Sequence, residues 1–261
     1  MLSTAQIEQF HRDGFLNGGP VLTVDEVEEL RAELTRVIEQ KGRTDVPQPV
    51  LLRNLSGKDN APVWQVVNIW QASPAFRRIM AKPSITGAVA QLTHARELRI
   101  WHDQIQYKPA ETGGVNMWHQ DSPLWPILKP QTQVTAWIAL DDVDESNGCM
   151  SMVPGSHRWG DQISFLHQIP SYREMPGEFQ GRPLQVQLCP VQQGHVHFHH
   201  GLTWHGSHAN QSGRPRRAIA FHYMTQDTWY DATGSHCMQD FVQVKHGEQL
   251  AGTVFELVWK A

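Results

Sequence analysis

Several things are scarce in this chain, and each scarcity removes a class of function. No apolar run is long enough to span a bilayer. The opening residues Met1-Leu2-Ser3-Thr4-Ala5-Gln6 carry neither the basic stretch nor the apolar stretch of an export signal. Cysteine is rare: Cys149, Cys189 and Cys237 are an odd number, far apart, with no C-x-x-C pair, which argues against a disulfide framework or a zinc knuckle. A surplus of positive charge is also missing. The formal net charge of −4 does not suit a nucleic acid or an anionic membrane as partner. The expectation is a cytoplasmic protein acting on small molecules; composition leaves its oligomeric state open.

What is present can fold. With 261 residues and 40% hydrophobic residues the chain can bury a large core, and a single domain is expected over 1–261. Two helices open it. Ser3 answered by Gln6, and Thr23 answered by Glu26, are capping boxes. After the second, Val27, Leu30, Leu34, Val37 and Ile38 recur at helical spacing. The stretch from Gly42 to Pro62, broken by Pro47, Pro49 and Gly57, reads as a loop able to reach over a site. Further helix is expected between Ser73 and Leu92, with Ser73 as N-cap, Pro74 at the first helical position, and Pro83 dividing it in two.

Beyond residue 95 the character changes. Short apolar or alternating runs at 98–107, 134–140, 149–153, 184–188, 195–199 and 218–223 are bounded by Gly, Pro, Asn and Asp. Strands following segregated helices indicate an α+β, mainly β domain with a sandwich or jelly-roll core. The expected division is a helical buttress with loop over 1–95, the β core over 96–225, a lid insertion at about 159–183, and a C-terminal extension over 226–261.

Candidate chemistry concentrates at two places. His119 and Asp121, two residues apart in Met117-Trp118-His119-Gln120-Asp121, can converge on one metal ion from a strand or from a bent strand end. In a chain with 15 histidines an H-x-D pair is weak evidence by itself. His205 and Arg216 strengthen it. Two histidines and a carboxylate form the 2-His-1-carboxylate pattern of non-haem Fe(II) oxygenases, and an arginine can hold a dicarboxylate beside it. Asn210 to Gly213 reads as a hairpin turn that brings Arg216 back alongside His205. Arg214 and Arg217 compete for the same role, and only register favours Arg216.

A second metal reading exists. In Gly194-His195-Val196-His197-Phe198-His199-His200 alternate histidines share one strand face, and His197, His199 and His205 would make a water-activating zinc centre, hence a hydrolase. That reading gives His119, Asp121 and Arg216 no task. A jelly-roll binding module without catalysis is the third alternative, for which a missing ligand would be the clue.

Order and wording of the motifs now matter. Asp13-Gly14-Phe15, Lys108-Pro109, Trp118-His119-Gln120-Asp121 and Trp137-Ile138-Ala139-Leu140-Asp141-Asp142 come first. They are followed by Asn147-Gly148-Cys149-Met150, Val153-Pro154-Gly155-Ser156-His157 and the block from His205 to Tyr223. In this order they resemble the phytanoyl-CoA dioxygenase family of Fe(II)/2-oxoglutarate-dependent oxygenases over most of the chain. The resemblance implies a double-stranded β-helix (jelly roll), Fe(II) as metal, and 2-oxoglutarate and O2 as cosubstrates. It implies that His119, Asp121 and His205 are the iron ligands and that Arg216 pairs with the C5 carboxylate of 2-oxoglutarate. Ser207 would donate to that carboxylate, and Gln106 and Trp137 would line the cosubstrate pocket. The implied reaction is oxidation of a C–H bond, by hydroxylation or by desaturation or ring closure of a natural-product or sugar intermediate, with 2-oxoglutarate converted to succinate and CO2. Relatives that halogenate replace the iron carboxylate by a small residue; Asp121 is present.

Trp125, in the proline-bounded stretch Ser122-Pro123-Leu124-Trp125-Pro126, is the first candidate for a substrate wall, with His102 and Gln104 pointing inward from the preceding strand. The Val153 to His157 turn is read as scaffold, with Ser156 and His157 bonded to backbone.

Overall fold

A long central strand organises the molecule, for which a computed structural model describes residues 1–261. The helices are α1 (Thr4–Asp13), α2 (Val24–Glu39), α3 (Pro74–Met80), α4 (Pro83–Thr93) and the short α5 (Ile163–Leu166). Both capping boxes form as the sequence predicts. Pro83 opens α4, so the expected division falls there. Ser73 sits at the N-cap of α3 but makes no capping bond; its hydroxyl donates to Glu33 Oε2 at 2.6 Å and ties α3 to α2 instead.

The large sheet has the order β1 (Phe15–Pro20), β12 (His195–His200), β7 (Val134–Ala139), β14 (Arg216–Thr225), β4 (Glu97–Lys108), β3 (Trp64–Val67), β2 (Leu51–Asn54). The last strand, β16 (Leu257–Lys260), pairs with the N-terminal end of β4. A smaller antiparallel sheet runs β11 (Gln187–Cys189), β8 (Met150–Met152), β13 (His205–Ser207), β5 (Asn116–His119). Two ribbons complete the inventory: β6 (Leu128–Lys129) with β15 (Trp229–Tyr230), and β9 (Glu178–Phe179) with β10 (Arg182–Pro183). This is the mainly β, jelly-roll architecture that the resemblance implied.

Strand parity sorts the side chains into two layers. Val134, Ala136 and Ile138 of β7, Val196 and Phe198 of β12, and Ile219, Phe221 and Tyr223 of β14 point to the helices and join a core cluster of 33 buried residues. The intervening residues point toward the small sheet, where Trp137, Ala139, Ala218 and Ala220 meet Met150, Met152 and Cys189. On β4 a bulge changes the parity. His222 is paired with His102 but Tyr223 with Ile100, so Trp101 is an extra residue. Leu98 and Ile100 before it, and Ile105 after it, all reach the helical core. The bulge thereby puts His102, Gln104, Gln106 and Lys108 on the inner face.

Three sequence expectations change. The 42–62 stretch is not wholly loop, since Leu51–Asn54 adds the edge strand β2. The strand expected at 184–188 is β11 at Gln187–Cys189. Residues 205 and 216 are not partners in a hairpin: β13 lies between β8 and β5 in the small sheet, whereas β14 lies between β4 and β7 in the large one. The connection crosses between sheets, held by Asn210, whose Nδ2 donates to Pro109 O at 3.0 Å and Arg214 O at 2.7 Å.

Candidate active site

Between the sheets, the small one supplies imidazoles and the large one supplies amides and a guanidinium. His119 ends β5 and His205 begins β13, and the two are directly paired across the ladder. Asp121 lies just past the strand in a helical turn (φ −74°, ψ −54°), so the bent strand end, not a straight strand, brings it to them. Ligand atoms of His119, Asp121 and His205 all lie within 4.8 Å of one another.

The hydrogen bonds fix which atoms face inward. His119 Nδ1 is 2.7 Å from Met117 O, and His205 Nδ1 is 2.9 Å from Thr203 O. A carbonyl only accepts, so each Nδ1 carries the proton and each Nε2 keeps a bare lone pair. Those Nε2 atoms stand 3.7 and 3.6 Å from Asp121 Oδ1. The other oxygen, Oδ2, is 3.1 Å from His199 Nε2 and 3.1 Å from Thr135 Oγ1, which in turn accepts from His222 Nδ1 at 2.8 Å. Burial pushes His119 down to about 4, and it lowers His205 too, so both are neutral imidazoles at neutral pH. Burial would raise the Asp121 carboxyl, but the positive charge that His205 takes up in acid and the hydrogen bond from His199 outweigh it and hold the group well below its usual range. Two neutral imidazoles and one carboxylate, each oriented by a partner on its far side, suit a divalent iron.

Arg216 supplies the second half. It is fully buried, and none of its guanidinium nitrogens has a partner in the protein. Its guanidinium carbon lies 5.0 Å from the centre of the Trp137 ring. Burial lowers the group to about 10, which leaves it charged at neutral pH. An unpaired buried cation is costly, and a carboxylate accepting two parallel bonds is its natural complement. Arg216, Trp137, Ser207, Gln104 and Gln106 line one narrow cavity together with His119, Asp121 and His205. The donor set therefore fits both an iron ion and a dicarboxylate. Arg214 and Arg217 are engaged elsewhere, with Asp144 and Asp141.

The zinc alternative finds no geometry. His197 stacks on Phe15 at 5.7 Å, and His199 is committed to Asp121. Of the substrate candidates, Trp125, His102 and Gln104 line a second cavity of about 1070 Å³ that opens onto His119 and Asp121. The 42–62 region lines it as well, through Leu55, Ser56, Lys58 and Asn60. Gln104 Oε1 accepts from Gln65 at 2.9 Å and Gln106 Oε1 from Asn116 at 2.8 Å, leaving both amide N–H₂ groups toward the cavities. From 159–183, His167 alone borders this space. The rest packs outside the small sheet, with Tyr172 stacked on Trp118 at 5.4 Å and Phe179 against Trp204. In the 153–157 turn Ser156 locks the backbone of Val153 and Trp204 as expected, whereas His157 Nδ1 is buried without a partner.

Thr135, His222 and Lys108 carry no signal of a site role in the sequence, and His199 is one of several equivalent histidines there. The histidine run flagged His199, but nothing in the sequence marks Thr135, whose role depends on β7 lying beside β14.

The sequence model of the family described as Phytanoyl-CoA dioxygenase (PhyH) matches residues 10–218. The chain belongs to the phytanoyl-CoA dioxygenase family. Among curated relatives, the peroxisomal phytanoyl-CoA dioxygenase of Rattus norvegicus is 26% identical over 88% of this chain and 70% of its own length. An ectoine dioxygenase of Bordetella parapertussis is 26% identical over 87% of this chain and 76% of its own. Among solved structures, the non-heme alpha-ketoglutarate-dependent carbocyclase of nogalamycin biosynthesis superposes with a TM-score of 0.79 at 28% identity, covering 99% of this chain and 97% of that one. The epimerase of the same biosynthesis, solved with Fe3+, alpha-ketoglutarate and a nogalamycin compound, gives 0.79 at 25% identity over 98% of each chain. This family member is a non-haem iron oxygenase that uses Fe(II), 2-oxoglutarate and O2 on a small-molecule substrate. No helix is long and apolar enough to cross a membrane.

Proposed function

We propose that His119, Asp121 and His205 ligate the iron and that Arg216 and Ser207 bind the C5 carboxylate of 2-oxoglutarate over Trp137. The observation carrying this reading is Arg216, a buried guanidinium with three unpartnered nitrogens on the wall of the cavity that also holds the triad. When bound, iron and 2-oxoglutarate supply the oxidising power for C–H chemistry, with succinate and CO2 as by-products. The protein supplies position. His199 and Thr135 hold Asp121, the two Nδ1 bonds hold the imidazoles, and the Gln104 and Gln106 amides point donors between the cosubstrate cavity and the larger one.

The substrate on this reading is a large, multi-ring metabolite with polar substituents, such as a natural-product or sugar-bearing intermediate, undergoing hydroxylation or oxidative ring closure. Support comes from the cavity of about 1070 Å³, just above the usual range of roughly 300–1,000 Å³ for small-molecule sites. Its rim carries the exposed apolar side chains Leu55, Val115, Met117 and Leu124, and its wall carries amides and Trp125. The three free cysteines are compatible with a reducing cytoplasm as the site of action.

Anaerobic titration of the apo-protein with Fe(II) and then 2-oxoglutarate tests the assignment. A weak visible metal-to-ligand charge-transfer band is expected, and it is absent in His205→Ala and Arg216→Ala. Tight zinc binding with no such band would overturn it, and so would succinate release at the wild-type rate by Asp121→Ala.

A further inference from the structure

Lys108 is fully buried at the C-terminal end of β4, directly opposite Arg216 in the ladder. Two cations facing each other across a sheet are unfavourable, and neither makes an ion pair. Lys108 Nζ instead donates to three oxygens: Ser207 Oγ at 2.7 Å, His208 O at 2.6 Å and Ser207 O at 3.3 Å. These use all three of its donors. A serine hydroxyl has one proton and two lone pairs. With Lys108 donating into one lone pair, the proton of Ser207 must point elsewhere. The bond from Lys108 is the only one Ser207 Oγ makes, and Ser207 borders the cavity into which Arg216 is set.

We propose that Lys108 is a positioning residue for the cosubstrate: by donating into Ser207 Oγ, it aims the serine proton at the far carboxylate of 2-oxoglutarate beside Arg216. This rests on the reading of Arg216 and Ser207 as the binders of that carboxylate. The lysine does not border the cavity and acts only through Ser207. Its ammonium polarises the hydroxyl and strengthens the bond the hydroxyl donates. Burial, and after it the positive charge of Arg216, favour the neutral amine while the cavity holds no anion. Contact with three oxygens opposes that, and an anion arriving beside Arg216 would favour the charged form further.

The test is binding rather than turnover. Fe(II)-loaded protein is titrated anaerobically with 2-oxoglutarate and, separately, with 2-oxopentanoate, which keeps the chelating end and lacks the far carboxylate. Wild type, Lys108→Met, Ser207→Ala, the double variant and Arg216→Met are compared. Lys108→Met is expected to weaken 2-oxoglutarate by about ten- to a hundredfold, the span of one hydrogen bond to a charged group. It should leave 2-oxopentanoate and Fe(II) within about threefold, a margin below the weakest such bond. The double variant should bind 2-oxoglutarate no worse than Ser207→Ala. A lysine that merely stitches β4 to β13 would weaken both oxo acids alike, or its effect would add to that of Ser207→Ala; either result overturns the proposal. If Lys108→Met does not fold, Ser207→Ala decides, because undiminished preference for 2-oxoglutarate in that variant leaves the aimed proton no role. Arg216→Met separates the two layers: preference retained there refutes the carboxylate site itself, and preference lost there but kept in Lys108→Met refutes only the role of Lys108.

Discussion

His199 Nε2 stands 3.1 Å from Asp121 Oδ2, the carboxylate oxygen opposite the one that His119 and His205 face. The carboxylate is thus gripped from behind while its other oxygen stays free for a metal. Removing the grip in His199→Phe is expected to weaken Fe(II) binding by roughly 10- to 100-fold, the usual cost of losing an orienting partner. His199→Gln, which restores a donor, should recover most of it. Competition with a chromophoric chelator measures both, and equal affinity in all three proteins would remove His199 from the site.

Arg216→Met should act in opposite directions on the two states of the protein. In the apo-protein it removes a buried charge without a partner, so the melting temperature is expected to stay level or rise. With cosubstrate the variant loses about 2–5 kcal/mol of binding, thirtyfold or more in dissociation constant. Arg216→Lys should rescue little, since a point charge does not present two parallel donors. Thermal melts with and without 2-oxoglutarate report both effects.

The apo-protein should lose stability between about pH 6.5 and 4. Burial, aided by His157, holds His200 down to about 4, while an unfolded histidine titrates near 6.5. The unfolded chain therefore binds more protons across this window, and stability falls as pH falls through it. For His200 alone the slope is at most about 1.4 kcal/mol per pH unit. Melting temperature followed from pH 7 to 4 should decline less in His200→Gln than in wild type; parallel curves would contradict the buried neutral state.

Gly14 closes α1 in a left-handed conformation (φ +86°), and a Cβ there would meet His157 Nδ1 at 2.4 Å and Thr203 Oγ1 at 2.6 Å. Gly14→Ala combines backbone strain of roughly 1–2 kcal/mol with a clash. A fall in melting temperature of about 4–8 °C is expected. Because Gly14 O also accepts from Thr203 Oγ1 at 2.9 Å, two residues before His205, weaker iron binding should accompany it.

Local information in the sequence carried a long way. The capping boxes of α1 and α2 need only side chains three residues apart, so they were legible without a fold. The apolar sets of β7, β12 and β14 follow from alternation, because burial on one face leaves a period of two. The edge strand β2 was hidden because a proline- and glycine-rich text shows its partner β3 no more plainly than a loop would. Thr135 and Lys108 were silent for a related reason: hydroxyls and lysines are common, and only distant strands give these two their partners.

By itself the sequence determined the His-x-Asp spacing, the two helices, the alternation of the core strands and membership of the family, since these are written in short spacings and ordered motifs. Tertiary structure alone decided how the pieces face one another. His205 and Arg216 look like hairpin neighbours but stand in different sheets, because Asn210 ties their connection to the end of β4. The inward placing read from the sequence for His102, Gln104 and Gln106 needs a device the sequence does not show, since unbroken parity from Leu98 would put them and Lys108 on the helical side. The extra residue at Trp101 turns them to the inner face, since one residue of slip reverses every side chain beyond it.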